Sequence, residues 1–150
     1  MSNANTVCVL GLGYVGLPTA AILATHRLNV IGVDVNEDIV ASVNGGQVHI
    51  MEPALDALLK AAVTLKRLRA TTKPESSDAF IIAVPTPIDA DMRADLTFVE
   101  QAARSIASVA AIGSPAIAWP NPSTRFSAGP HAGHAFGSAW KRRSPGSWYS

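Results

Sequence analysis

VCVLGLGYVGLPTA, residues Val7 to Ala20, decides how the chain reads. The apolar run Val7 to Leu10 feeds directly into Gly11-Leu12-Gly13-Tyr14-Val15-Gly16. That is G-x-G-x-x-G at the end of a predicted strand and the start of a predicted helix. Three glycines have three separate reasons in such a turn. The first permits the tight bend, the second lets backbone approach a pyrophosphate, and the third lets helix close on strand. The following helix would aim free N–H groups and its positive dipole end at the phosphates. Alone the pattern is weak, because glycine-rich turns are common; its neighbours decide its meaning.

Outward from the turn, Thr6–Leu10 reads as strand one, almost continuously apolar as a parallel strand covered on both faces should be. Helix one is expected from Tyr14 or Val15 to Thr25, with Pro18 tolerated in its first turn and Ala20, Ala21 and Ala24 keeping it slim. Asn29–Val33 reads as strand two and ends in Asp34, 18 residues after Gly16. A carboxylate at that strand tip accepts hydrogen bonds from adenosine ribose hydroxyls and repels a 2′-phosphate, which argues for NAD over NADP. The plain alternative for Asp34 is a turn aspartate.

Asn36 is placed to cap helix two, Glu37–Val43, and Asn44-Gly45-Gly46 to stop it. A further helix is expected from about Glu52, where Leu55, Leu58, Leu59 and Ala62 recur at helical spacing behind Pro53. Arg67–Thr71 is a candidate third strand, Pro74–Ser77 is turn-like, and Asp78–Val84 a buried fourth strand running into Pro85-Thr86-Pro87. Ligands of open α/β sheets bind outside the carboxyl ends of the strands, so Thr86 is a candidate cofactor contact. Asp89–Ala94 reads as a polar loop. Asp95 or Thr97 starts the next helix, with Thr97-x-x-Glu100 as a capping box and Leu96, Val99, Ala103, Ile106 and Ala110 on one face. Strands alternating with helices predict an α/β, Rossmann-type doubly wound parallel sheet. It is expected to be incomplete, holding the first half and the start of the second, followed by an irregular C-terminal tail. In that setting the glycine pattern is strong.

Composition excludes several classes. The 150 residues are 48% apolar with a formal net charge of +1, so a basic nucleic-acid surface has no support. Cys8 is the only cysteine, which rules out an intrachain disulfide, and its place in strand one makes it a small core residue. Residues 1 to 25 carry no charged side chain. They lack a basic leader, however, and three glycines and Pro18 interrupt the run, so neither a signal peptide nor a membrane span is expected.

Four stretches resemble the N-terminal NAD-binding domain of the UDP-glucose/GDP-mannose dehydrogenase family: VLGLGYVGLPTA, VIGVDVNEDIV, the Asn44-Gly45 to Glu52-Pro53 segment, and AVPTP at Ala83–Pro87. VHIMEPAL and ADLTFVEQAARSIA bring it nearest the branch that oxidises UDP-N-acetyl-D-mannosamine. The resemblance runs from Val7 to about Val109. It implies oxidation of a nucleotide sugar at C6 to the carboxylate with two NAD, in the cytoplasm, by an oligomeric enzyme of polysaccharide biosynthesis. Carried over by position, it makes Tyr14 and Val15 cofactor contacts beside Gly11, Gly13 and Gly16, Asp34 the ribose carboxylate, and Thr86 the contact after strand four. The family pattern continues into a Glu-Ser-Thr strand and a second domain with a catalytic Lys and Cys. Neither is in these 150 residues, so no catalytic residue is assigned, and the nucleotide sugar is a partner of the full-length family only.

The last stretch has a different composition. All 11 carboxylates lie at or before Glu100, while Ala110–Ser150 is net +4 and holds all three tryptophans and half of the ten prolines. We therefore divide the chain into a truncated NAD-binding domain at 1–112 and an irregular or disordered tail at 113–150, expected to be a frameshift product. Ile117 to Pro122 can be encoded by a sequence whose neighbouring frame reads Glu-Ser at the Asn121 position. His131 and His134 have no further ligands nearby for a metal, and Lys141-Arg142-Arg143 reads as a solvated charge run. The expected function is NAD binding without turnover. A stand-alone nucleotide-binding module and a non-functional pseudogene product are the other readings.

Overall fold

The computed structural model describes residues 5–50, 53–87, 94–110, 115–118 and 125–127. The expected loop at Asp89–Ala94, apart from Ala94, lies outside these residues, as do His131, His134 and Lys141 to Arg143. Six strands form one sheet in the order β3-β2-β1-β4-β5-β6. They are β1 (Thr6–Leu10), β2 (Asn29–Val33), β3 (Leu68–Thr71), β4 (Ala79–Ile82), β5 (Pro115–Ala118) and β6 (Arg125–Ser127). Strands β1 to β5 pair in parallel, and β6 closes the edge antiparallel to β5. The order, with β1 central between β2 and β4, is that of the doubly wound sheet expected from the sequence. Strands β5 and β6 lie beyond residue 112 and belong to the same sheet.

Alternation along the strands separates two cores. Val7, Val9, Val30, Leu68 and Ala70 face helices α1 (Gly16–Thr25), α2 (Glu37–Asn44) and α3 (Pro53–Thr64). Cys8, Leu10, Ile31, Val33, Phe80 and Ile82 face α4 (Thr97–Ile106) on the other side. Alanines 20, 21 and 24 are all buried, which brings α1 close to the sheet as its slimness predicts.

The ends of the elements follow local chemistry. Asn36 caps α2 through its side-chain oxygen, which accepts the Asp38 N–H at 2.9 Å. The helix runs one residue further than expected, because the Asn44 side chain is not a stop signal but a clamp. It donates to the Ala70 carbonyl at 2.9 Å and accepts the Ala70 N–H at 2.7 Å, tying α2 to β3. Gly45 and Gly46 then end the helix, with Gly46 at φ +68°. Helix α1 starts at Gly16 rather than at Tyr14 or Val15, and Val15 is its N-cap residue. The capping box expected at Thr97 and Glu100 does not form. Asp95 accepts both the Thr97 N–H at 2.9 Å and the Thr97 hydroxyl at 2.6 Å, which holds its carboxyl below the usual range. On α4 the buried face is Val99, Ala102, Ala103 and Ile106; Leu96, expected there, is exposed, because it precedes the first turn.

Candidate functional site

Strands β2, β1 and β4 end side by side, and the connections leaving them form the site. Gly11 has φ +91°, and a Cβ there would stand 2.6 Å from the Ala83 carbonyl oxygen after β4. A Cβ on Gly16 would stand 1.7 Å from the Gly11 carbonyl oxygen. No side chain fits at either position, so the turn is folded tightly on itself and against the β4 loop. Gly13 is different. Among the described residues, no heavy atom other than its immediate neighbours lies within 4 Å of its notional Cβ. The open space in front of this backbone is what the close approach of a phosphate requires.

Helix α1 begins over that space with no side-chain cap and no acidic residue in its first turn. Among the described residues, no hydrogen bond engages the N–H groups of Tyr14, Val15 or Gly16. Helix α2, by contrast, is capped by Asn36 and carries Glu37 and Asp38 at its start. The first helix therefore presents an uncompensated positive end, and the second does not. Its free N–H groups point where an anion would be held.

Asp34 stands at the tip of β2, immediately beside the turn. Its Oδ2 accepts the Leu12 N–H at 2.9 Å and its Oδ1 accepts the Asn36 N–H at 3.0 Å. Each oxygen keeps a further lone pair for a hydroxyl. Tyr14 is 75% exposed and Val15 43%, so neither covers the turn as a core residue would. Thr86 is half-buried on the loop after β4, whose backbone is joined to β1 by the Ala83 N–H donating to Leu10 at 2.7 Å. The structure thus gathers Gly11, Gly13, Tyr14, Val15, Gly16 and Asp34 around one turn and sets Thr86 on the adjoining loop.

Leu12, Gly32 and Val35 at this edge escaped the reading of the sequence. Leu12 is fully buried, and its side chain occupies the space that a Cβ on Gly32 would enter at 2.8 Å. A leucine between two motif glycines and a glycine inside an apolar strand were the available signals. Val35, beside Asp34, is 93% exposed and offers an apolar platform at the strand end. Cys8 is fully buried in β1, and burial pushes its thiol up to about 11 against a smaller opposing hydrogen bond from the Glu75 backbone. It is unsuited to nucleophilic work. Among the described residues, no group of three or more His, Cys, Asp or Glu side chains could hold a metal ion.

A tight glycine turn, an uncapped helix start and a strand-end carboxylate define an α/β dinucleotide-binding domain. The chain belongs to the UDP-glucose/GDP-mannose dehydrogenase family, whose NAD-binding domain matches residues 5–117, eight residues further than Val109. Its cofactor is NAD. Over 104 residues it is 55% identical to the NDP-N-acetyl-D-galactosaminuronic acid dehydrogenase of Ralstonia nicotianae, covering 69% of this chain and 25% of that protein. Over 110 residues it is 53% identical to the UDP-N-acetyl-D-mannosamine dehydrogenase of Campylobacter jejuni, covering 73% of this chain and 27% of that protein. The UDP-N-acetyl-mannosamine dehydrogenase of Staphylococcus aureus superposes with a TM-score of 0.74 at 38% identity, over 75% of this chain and 28% of that one. The chain therefore spans about a quarter of the length of the relatives it matches. No described helix is long and apolar enough to cross a membrane.

Proposed function

We propose that these residues bind NAD at the carboxyl edge of the sheet. The pyrophosphate lies on the Gly13-Tyr14-Val15 backbone and the start of α1, and the adenosine ribose on Asp34. Tyr14, Val15 and Thr86 flank the dinucleotide. The observation that carries this reading is Gly13: a glycine that no atom of the described residues requires, facing open space under an uncapped helix start. NAD, once bound, supplies a hydride acceptor; the residues described here bind it, orient it and discriminate against a 2′-phosphate.

The family relationship extends the proposal to oxidation of a nucleotide sugar, UDP-N-acetyl-D-mannosamine or a related UDP-sugar, in cytoplasmic polysaccharide biosynthesis. The 150 residues alone are expected to bind NAD without turning over such a sugar. A second oxidation at the same carbon requires an accessible nucleophile to hold the aldehyde. Cys8, the one thiol, is sealed in the sheet with its proton held tightly. We propose residues 1–112 as the NAD-binding unit and 113–150, whose β5 and β6 extend its sheet, as a tail arising from a frameshift.

The test is Gly13→Ala in this chain. Thermal unfolding should match the unsubstituted protein, because the added methyl meets no atom of the described residues. NAD affinity by calorimetry should fall about tenfold or more, the equivalent of losing one well-placed phosphate contact. Unchanged NAD affinity would refute the phosphate assignment. Reduction of NAD by the purified chain with UDP-N-acetyl-D-mannosamine would refute the expected lack of turnover.

A further inference from the structure

The end of β2 grips the glycine turn at three points. The Gly11 N–H donates to the Val33 carbonyl at 2.7 Å. The Leu12 side chain is seated in the gap left by Gly32. The Leu12 N–H donates to Asp34 Oδ2 at 2.9 Å. Asp34 is itself fixed, because its other oxygen accepts the Asn36 N–H at 3.0 Å. Leu12 immediately precedes Gly13, so whatever fixes the Leu12 amide also fixes the backbone that meets the phosphate.

We propose that Asp34 is a positioning residue for the phosphate-binding turn, in addition to its contact with the ribose. The inference rests on the NAD reading of this edge. Its carboxylate holds the Leu12 N–H before any ligand arrives, and so prepares the Gly13-Tyr14-Val15 backbone. Cofactor preference is then locked at this position. Replacing the carboxylate with a neutral residue removes the repulsion of a 2′-phosphate but also releases the turn. Affinity for both dinucleotides falls instead of passing from one to the other. Asparagine is no substitute. It has one acceptor oxygen for two backbone N–H groups, and its own amide N–H would face the second.

The test compares Asp34→Ala and Asp34→Asn with the unsubstituted chain, using ADP and 2′,3′-dideoxy-ADP as calorimetric probes. Dideoxy-ADP has no ribose hydroxyls for Asp34 to contact. A carboxylate acting only through the ribose would leave its affinity unchanged, or raise it as a negative charge leaves the phosphate site; either result overturns the proposal. The expected result is a loss of about three- to tenfold for dideoxy-ADP, with a larger loss for ADP. Amide hydrogen exchange gives an independent reading on the ligand-free protein. The Leu12 N–H should be protected in the unsubstituted chain and exchange at least about tenfold faster in both variants, while Cys8 and Val9 in β1 keep their protection. An unprotected Leu12 amide in the unsubstituted chain overturns the proposal even if neither variant folds. If the unsubstituted chain binds neither nucleotide, the NAD reading fails, and Leu12 exchange still decides whether Asp34 holds the turn.

Discussion

The two edges of the sheet solve the same backbone problem with different residues. At the carboxyl edge, Gly11 takes a positive φ in contact with the β4 loop, where a Cβ has no room. At the amino edge, α1 and α3 both end on a residue of positive φ, and that residue is Arg27 (φ 67°) in one and Lys66 (φ 54°) in the other. Each end is closed by the same pair of hydrogen bonds: Arg27 to Ala24 at 3.2 Å and Leu28 to Leu23 at 3.4 Å, then Lys66 to Val63 at 2.9 Å and Arg67 to Ala62 at 3.0 Å. These are Schellman closures without glycine. A cationic side chain offsets the conformational cost in part by lying near the negative end of a helix dipole. Glycine is thus demanded where space is short, and only preferred where the dihedral alone is unusual.

The amino edge also holds an open cavity of about 460 Å³ whose lining includes Thr6, Asn29, Lys66, Arg67, Arg69 and Glu75. Its arginines already have partners. Arg67 donates to Asn29 Oδ1 at 2.8 Å, and Arg69 forms a two-pronged pair with Glu75 at 2.6 Å on each arm. At the carboxyl edge, among the described residues, the N–H groups of Tyr14, Val15 and Gly16 have none. Engaged arginines at one edge and unengaged helix N–H groups at the other are why binding is assigned to the second.

The contrast can be broken most severely at Gly16. Gly16→Ala should destabilise by more than about 4 kcal/mol, because the methyl would overlap a backbone oxygen that cannot withdraw without unmaking the turn. Soluble yield and thermal unfolding read this, and a variant that melts with the parent would disprove the tight turn. Between the edges lies Cys8. Its folded thiol titrates near 11 and its unfolded thiol near 9.0, so the unfolded chain gives up the proton first. Stability should therefore be full below about pH 9 and decline by about 2 kcal/mol on the way to pH 11. Denaturant titrations of the parent and Cys8→Ala should show a shallower alkaline decline in the variant.

Smaller effects sharpen the amino edge. Arg27→Gly and Lys66→Gly should each stabilise by about 0.5–1 kcal/mol, the relief of a left-handed dihedral less the added freedom of the unfolded chain. If both destabilise, the side chains do more than tolerate the closure. Glu75→Gln should matter least, under about 1 kcal/mol, since the pair with Arg69 is half-exposed. The Arg69 guanidinium lowers the Glu75 pKa. That small contribution is present at neutral pH, is lost on acidification through the folded pKa, and should shrink in high salt.

Legibility in the sequence followed burial. Strands β1 and β2 have the boundaries expected, because continuous apolar runs bounded by polar residues leave little choice of register. Strand β4 is shorter than the expected Asp78–Val84; at its start the Asp78 side chain, in place of its backbone carbonyl, accepts the Thr6 N–H at 2.7 Å, while the Asp78 N–H donates to the Thr6 carbonyl at 2.9 Å. Strands β5 and β6 were not foreseen; four- and three-residue segments carry too little periodic signal. At the site, the glycines and Asp34 could be read because their chemistry is local. Leu12, Gly32 and the Asn44 clamp could not, because each acts on a partner between 20 and 26 residues away.

The position of β1 in the sheet also has a consequence in time. Among the six described strands it is made before the others, yet one of its two neighbours, β4, pairs Val7 with Ala79 and Leu10 with Ile82. Gly11 is pressed against Ala83 from that same strand end. The nucleotide cradle therefore cannot close when its own residues emerge, and must wait for some seventy more to be synthesised. Until then β1 has one open ladder edge, and the nascent chain is most exposed to mispairing through its most apolar segment.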